Sequence, residues 1–155
     1  MGCYDKWWLS KDMDNMGYLF EYCDDYCEKL YNVKIDKNKL LKAFMTSRFR
    51  EEMENGQPKF LSQAAYDSLK QWISVDYDNN LDYFIGAPHN EYIKNQYYWI
   101  GWMYAYIHFS SGLSSKTIVD ILPIEKMIEH YHLGHEMSKE VYYKKIESSL
   151  TSRKD

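Results

Sequence analysis

Cysteine is scarce in this chain of 155 residues, which has three in all: Cys3, Cys23 and Cys27. The chain is long enough to bury a core without covalent staples, and an odd number of cysteines points to free thiols in a reducing compartment. Positive charge is short as well. Nineteen Lys and Arg against 23 Asp and Glu leave a net charge of −4, and the lysines are scattered among carboxylates instead of forming a stripe. That balance argues against a phosphate-binding surface and for a basic partner, or a partner with a basic face. No hydrophobic run is long. The most apolar stretch, residues 97 to 109, contains His108 and falls short of the roughly 18 to 20 residues a membrane span needs. A secretory leader is not expected, because Asp5, Lys6, Lys11, Asp12 and Asp14 interrupt the first twenty residues. The opening "MGCYDK" has Lys6 where a myristoylation signal wants Ser or Thr. An unmodified, cytoplasmic protein is the expectation.

Catalytic templates are also missing. The chain has no P-loop, no dinucleotide-binding fingerprint and no nucleophile elbow. "DYDNNLD", with Asp76, Asp78, Asn80 and Asp82, imitates the first half of a calcium loop. Leu81 stands where that loop needs glycine, and Ala87 where it needs its closing glutamate. No cofactor is expected, and an enzyme is the disfavoured class.

What the chain has in excess is aromatic surface: 17% of residues, including 16 Tyr and 5 Trp. These side chains bury large areas yet keep a polar end, so they suit cores and protein interfaces alike. The dominant pattern is helical. Met13, Met16, Phe20, Cys23, Cys27 and Leu30 recur at three- and four-residue steps, predicting a helix over 12–31 with Asp12 as its N-cap. Asp36 caps a second helix whose apolar stripe runs from Leu40 to Met53, ended by Gly56 and Pro58. Ser62 caps a third. Residues 75 to 91 have turn chemistry at Asn79-Asn80 and from Gly86 to Pro88. Residues 91–110 are apolar or aromatic almost all round from Tyr97 onward, the mark of a central helix. Ser114 or Ser115 caps a short helix, Pro123 opens another, Gly134 follows its end, and Ser138 caps the last, in which Val141, Tyr142 and Ile146 face inward. With no internal repeat or linker, this predicts one all-α domain of six to seven helices around the 91–110 helix, frayed over 1–11 and 148–155.

"IEHYHLGHEM" holds His130, His132 and His135. His130 and His135 have a zinc-like H-x4-H spacing, and Cys23 and Cys27 supply C-x3-C. The halves lie about a hundred residues apart, the cysteines sit on an apolar stripe, and H-E-x-x-H is absent, so the reading is a helix joint. A small metal protein or enzyme using the His130/His135 region stays as an alternative. Another is a helix-turn-helix-like regulator built from "SSGLSS" and the helices after it, although Glu125 and Glu129 against Lys126 would repel phosphate.

Three segments in order resemble a family of small helical bacterial proteins. "ENGQPKFLSQAAYDSL" resembles its "GNPKY…SG" segment, "YYWIGWMYAYIHF" is similar to its "YWxGWxLAYYQW" helix, and "IEKMIEHYHLGHEM" to its "MYxxYHEMD" joint. The chain departs from the pattern at Gln57 for Asn, His108 for Gln and Ser138 for Asp. That family is associated with toxin-type proteins, including ADP-ribosyltransferase-like ones, so the resemblance implies an antitoxin- or immunity-type partner protein. The residues expected to contact such a partner are the acidic-aromatic Asp76, Tyr77, Asp78, Asp82 and Tyr83, with Trp99, Trp102, Tyr106, His135 and Glu136.

Overall fold

The first apolar stripe can leave water only by packing on another helix, and the helix it finds lies far along the chain. The computed structural model describes residues 4–87 and 91–151; Cys3, Pro88 and residues 152–155, each part of an expectation above, lie outside the described residues. Helix α1 (Leu9–Tyr31) buries Met13, Met16, Phe20, Cys23 and Cys27, and stops at Asn32 in the left-handed conformation (φ 56°) that asparagine tolerates. It begins three residues before the expected start, so Asp12 is not its N-cap. Tyr4 and Leu150, within stretches expected to fray, are both buried.

Asp36 does cap α2 (Lys37–Met45), accepting the Lys39 N–H. The single helix expected to continue to Met53 is instead two. Thr46 and Ser47 donate their hydroxyls back to the carbonyls of Lys42, Ala43 and Phe44, a competition that ends the helix, and Ser47 then caps α3 (Arg48–Glu54). The stripe from Leu40 to Met53 is buried across the break. Pro58 starts α4 (Pro58–Leu61), whose end is Ser62. That residue therefore does not cap α5 (Ala65–Tyr77), which begins after Ala64 without a side-chain cap. Beyond α5 the chain turns through Asp78 and Asn79, both at positive φ, into a 3-10 turn at Asp82–Phe84. A lone antiparallel bridge joins Ile85 to Ile35.

Helix α6 (Gln96–Ser111) is buried nearly all round, and it starts five residues after the expected 91. It ends in a left-handed cap at Gly112 (φ 76°). It runs against α1 at very close range: a Cβ on Gly101 would be driven into the backbone carbonyl of Met16. Ser114 caps α7 (Ser115–Ile121). Pro123 precedes α8 (Ile124–Gly134), which includes Gly134 itself, and His135 is the residue after it. The Ser138 hydroxyl accepts the Val141 N–H at the start of α9 (Lys139–Thr151). Tyr142, Ile146 and Leu150 recur every four residues and face inward from α9, but Val141, about 100° round the helix from Tyr142, falls outside that stripe and is exposed. The all-α expectation thus holds, with nine helices and no strand among the described residues where six to seven helices were expected. No described helix is long and apolar enough to cross a membrane.

One part of the core is ionic. Arg50 and Asp12 are fully buried and meet fork to fork, Nη1 to Oδ1 at 2.7 Å and Nη2 to Oδ2 at 2.9 Å. The Tyr4 hydroxyl donates to the same carboxylate at 2.5 Å. Arg50 Nε lies 3.3 Å from Glu54, whose carboxylate also accepts the Ser115 N–H and hydroxyl and so holds the start of α7. Burial opposes the Arg50 charge, but Asp12 and then Glu54 outweigh it and hold its pKa above the ordinary arginine value. Completing the group, His108 Nδ1 lies 2.7 Å from the Leu113 carbonyl oxygen and 3.3 Å from Glu54.

Candidate functional site

Side chains three and four apart share a helix face, and three helices bring such faces together around an open cleft of about 560 Å³. From α1 come Tyr18, Glu21 and Tyr22; from α6, Tyr98, Trp99 and Trp102; from α8 and its end, Tyr131 and His135. The Tyr98 ring lies directly on α1, where a Cβ on Gly17 would come within 2.6 Å of it. It meets Tyr18 edge to face at 5.2 Å, and its hydroxyl donates to Asp14 at 2.9 Å. On the opposite side Trp99 meets Tyr131 edge to face at 5.8 Å, and the His135 ring stacks on Tyr131 at 4.3 Å. His135 Nδ1 is 2.6 Å from the Tyr131 carbonyl oxygen, which fixes the ring over the phenol.

Glu21 is the charged group of this cleft, only 4% exposed. Its Oε2 accepts the Tyr92 hydroxyl at 2.7 Å and the Asn95 N–H at 3.3 Å, and its Oε1 accepts the Tyr98 N–H at 3.2 Å. The carboxylate thus satisfies donors at the start of α6, where the helix dipole favours an anion. The hydrogen bond to Glu21 is the main reason the Tyr92 phenol is pushed up to about 12. Burial, and after it the Glu21 charge, raises the Tyr131 phenol. Among the described residues no cationic side chain lies within ion-pair distance of this carboxylate.

A second cleft of about 520 Å³ shares Trp102 with the first. Leu9, Met13, Tyr106, Phe109 and Lys139 line it, and the Lys139 ammonium lies 5.9 Å from the Trp102 ring centre and 5.6 Å from that of Tyr106. The two clefts therefore adjoin at one indole and together make a two-part aromatic groove on α6.

Of the residues expected from the sequence, Trp99, Trp102 and His135 line the first cleft and Tyr106 the second. Glu136 is exposed at the joint. The 76–83 segment lines neither. Asp76 accepts the Trp72 indole N–H at 3.0 Å, Tyr77 packs edge to face on Trp72 and Phe84, and Asp78 closes α5. Asp82 uses its N–H on Asn80, and exposed Tyr83 lies under the Lys39 ammonium at 3.8 Å. That segment is a folded turn with one exposed ring. Sequence reasoning missed Tyr18, Glu21, Tyr22, Tyr98 and Tyr131. The available signal was Gly17 and Glu21, a glycine and an acid four apart beside the buried stripe of α1, where neither belongs unless something packs or caps there.

The histidines stand apart from the cysteines. His130 Nδ1 is 2.8 Å from the Tyr142 hydroxyl, while His132 is exposed. Cys23 and Cys27 are fully buried, and burial, ahead of the Asp24 charge, pushes the Cys27 thiol up to about 12. No group of three or more His, Cys, Asp or Glu among the described residues is placed to hold a metal ion. The chain matches no family model, no curated protein and no solved structure.

Proposed function

We propose that this chain is a cytoplasmic, non-enzymatic protein-binding module of the antitoxin or immunity type, which neutralises a toxin-like partner by covering its active cleft. The observation that carries this reading is the aromatic groove along α6, with Tyr18 and Tyr22 exposed at its edge and Trp102 between its two halves. Tyrosine and tryptophan held by their neighbours lose little freedom on contact, and such residues supply most of the affinity at protein interfaces. A net charge of −4 favours a basic partner. The family resemblance supplies the kind of partner, a toxin-type protein such as an ADP-ribosyltransferase-like one. The helix-turn-helix alternative gains no support: α8 buries Ile124, Met127 and Tyr131 and exposes Glu125, Lys126 and Glu129, two carboxylates for one ammonium.

Co-expression with the product of the neighbouring gene tests the proposal. The expected result is a complex that survives gel filtration and relief of the partner's toxicity. The absence of both a complex and relief of toxicity, with every neighbouring product tested, would overturn it.

A further inference from the structure

We infer that the cleft between α1, α6 and α8 receives a cationic side chain, an arginine or lysine presented by the partner polypeptide, held between aromatic faces and against the Glu21 carboxylate. The inference rests on the protein-binding reading above and names what that surface recognises. Three features of the cleft require a cation rather than an apolar anchor. First, Glu21 is a buried acid with no described cationic side chain within ion-pair distance of its carboxylate; Lys37 directs its ammonium to the Glu21 backbone carbonyl at 2.8 Å and to Asp24 at 3.3 Å instead. An ionised carboxylate has about four acceptor sites; three are taken by Tyr92, Asn95 and Tyr98. The start of α6 contributes roughly half a positive charge, so part of the negative charge remains and an acceptor site is open.

Second, the walls are aromatic, with rings from Tyr18, Tyr22, Tyr98, Trp102 and Tyr131, whose π-systems carry negative quadrupoles. Such rings around an anion attract an ammonium or guanidinium, while an apolar side chain would leave the acid desolvated and unpaired. Third, the molecule already places its own cation on this groove, since Lys139 reaches the Trp102 ring from the neighbouring cleft. The cleft volume of about 560 Å³ leaves room for a long side chain and the backbone that carries it. A basic partner also fits the chain's charge of −4.

The test titrates the purified protein with N-acetyl-arginine amide and N-acetyl-lysine amide. Their neutral counterparts, N-acetyl-citrulline amide and N-acetyl-norleucine amide, serve as controls, and the Trp99 and Trp102 indole N–H resonances are followed. The cationic probes should saturate both signals at least about fivefold more tightly than the neutral ones. Glu21→Gln should remove that preference while leaving the neutral probes unchanged. Because Glu21 also holds the start of α6, Tyr22→Leu provides an independent variant that keeps every hydrogen bond described for the cleft, and it should weaken the cationic probes about threefold. Equal response to charged and neutral probes, or full cationic preference in both variants, would overturn the inference. A complex with the co-expressed partner that Glu21→Gln and Tyr22→Leu leave intact would overturn it too, with the protein-binding function left standing. If no complex forms, that function fails, and the probe titration still decides whether the cleft selects cations.

Discussion

The Trp99 indole lies against the backbone of Gly134, so close that a Cβ at position 134 would come within 2.6 Å of its Cζ2 atom. Tyr131 and Tyr142 pack edge to face on the same indole, so it has little room to yield. Alanine for glycine inside a helix ordinarily gains about 1 kcal/mol, whereas overpacking a filled site costs about 1–3 kcal/mol. Gly134→Ala is expected to lower the urea midpoint followed by tryptophan fluorescence. A raised midpoint would show that the indole moves aside freely.

The buried Arg50–Asp12 pair gives a larger effect. Arg50→Met leaves Asp12 in the core with only the Tyr4 hydroxyl, and breaking one side of such a pair costs about 3–5 kcal/mol. Removing both charges with Asp12→Leu and Arg50→Met should cost less than the two single losses added together. Chemical unfolding of the three variants gives the coupling directly, and simple additivity would contradict the pairing.

The thiols of Cys23 and Cys27 should be inert in the folded protein. Both are buried, and burial raises both pKa values, Cys27 to about 12, so neither presents a thiolate near neutral pH. In a Cys3→Ser variant, a thiol-specific chromogenic reagent at about pH 8 should find no reactive group in the native state and both thiols after urea. Rapid native labelling would mean that α1 opens locally.

His130 makes stability depend on pH in a defined direction. Burial, and after it the Lys126 charge, lowers its pKa below the ordinary 6.5, with Glu129 acting the other way. The unfolded chain therefore binds this proton more readily than the folded one. The contribution to stability is complete above the ordinary pKa and is lost as pH falls from there towards the folded value. Comparing urea midpoints from about pH 7.5 to about pH 5, His130→Gln should decline less than the parent protein. An equal decline would remove His130 as a cause.

The elements legible in the sequence were those whose cause is local. Asp36 and Ser114 cap helices because their oxygens reach an N–H three residues ahead, and α6 reads as central because its composition is apolar on every side. The break at Thr46-Ser47 was hidden because the apolar stripe runs straight through it. Asp12 looks like a cap from its neighbours alone, and only Arg50, 38 positions later, reveals it as a core charge. Glu21 is harder still. Gly17, four residues before it, hints at close packing on that face, but the three donors to the acid lie between residues 92 and 98, so what it caps is not legible near position 21. The groove was half visible for the same reason: Trp99, Trp102 and Tyr106 come from one conspicuous helix, whereas Tyr18 and Tyr22 acquire their role only from what docks beside them.

The close seating of α1 on α6 through Gly101 has a consequence during synthesis. Roughly 80 residues separate the end of α1 from the end of the helix that covers it. At a ribosomal rate of about 5–20 residues per second, the α1 stripe therefore waits some 4–16 s for its cover. Through that interval Met16 and Phe20, which α6 covers, are apolar surface on a nascent chain. A nascent chain cut before α6 emerges would be left holding that surface, a substrate for chaperones or proteases rather than a smaller working protein.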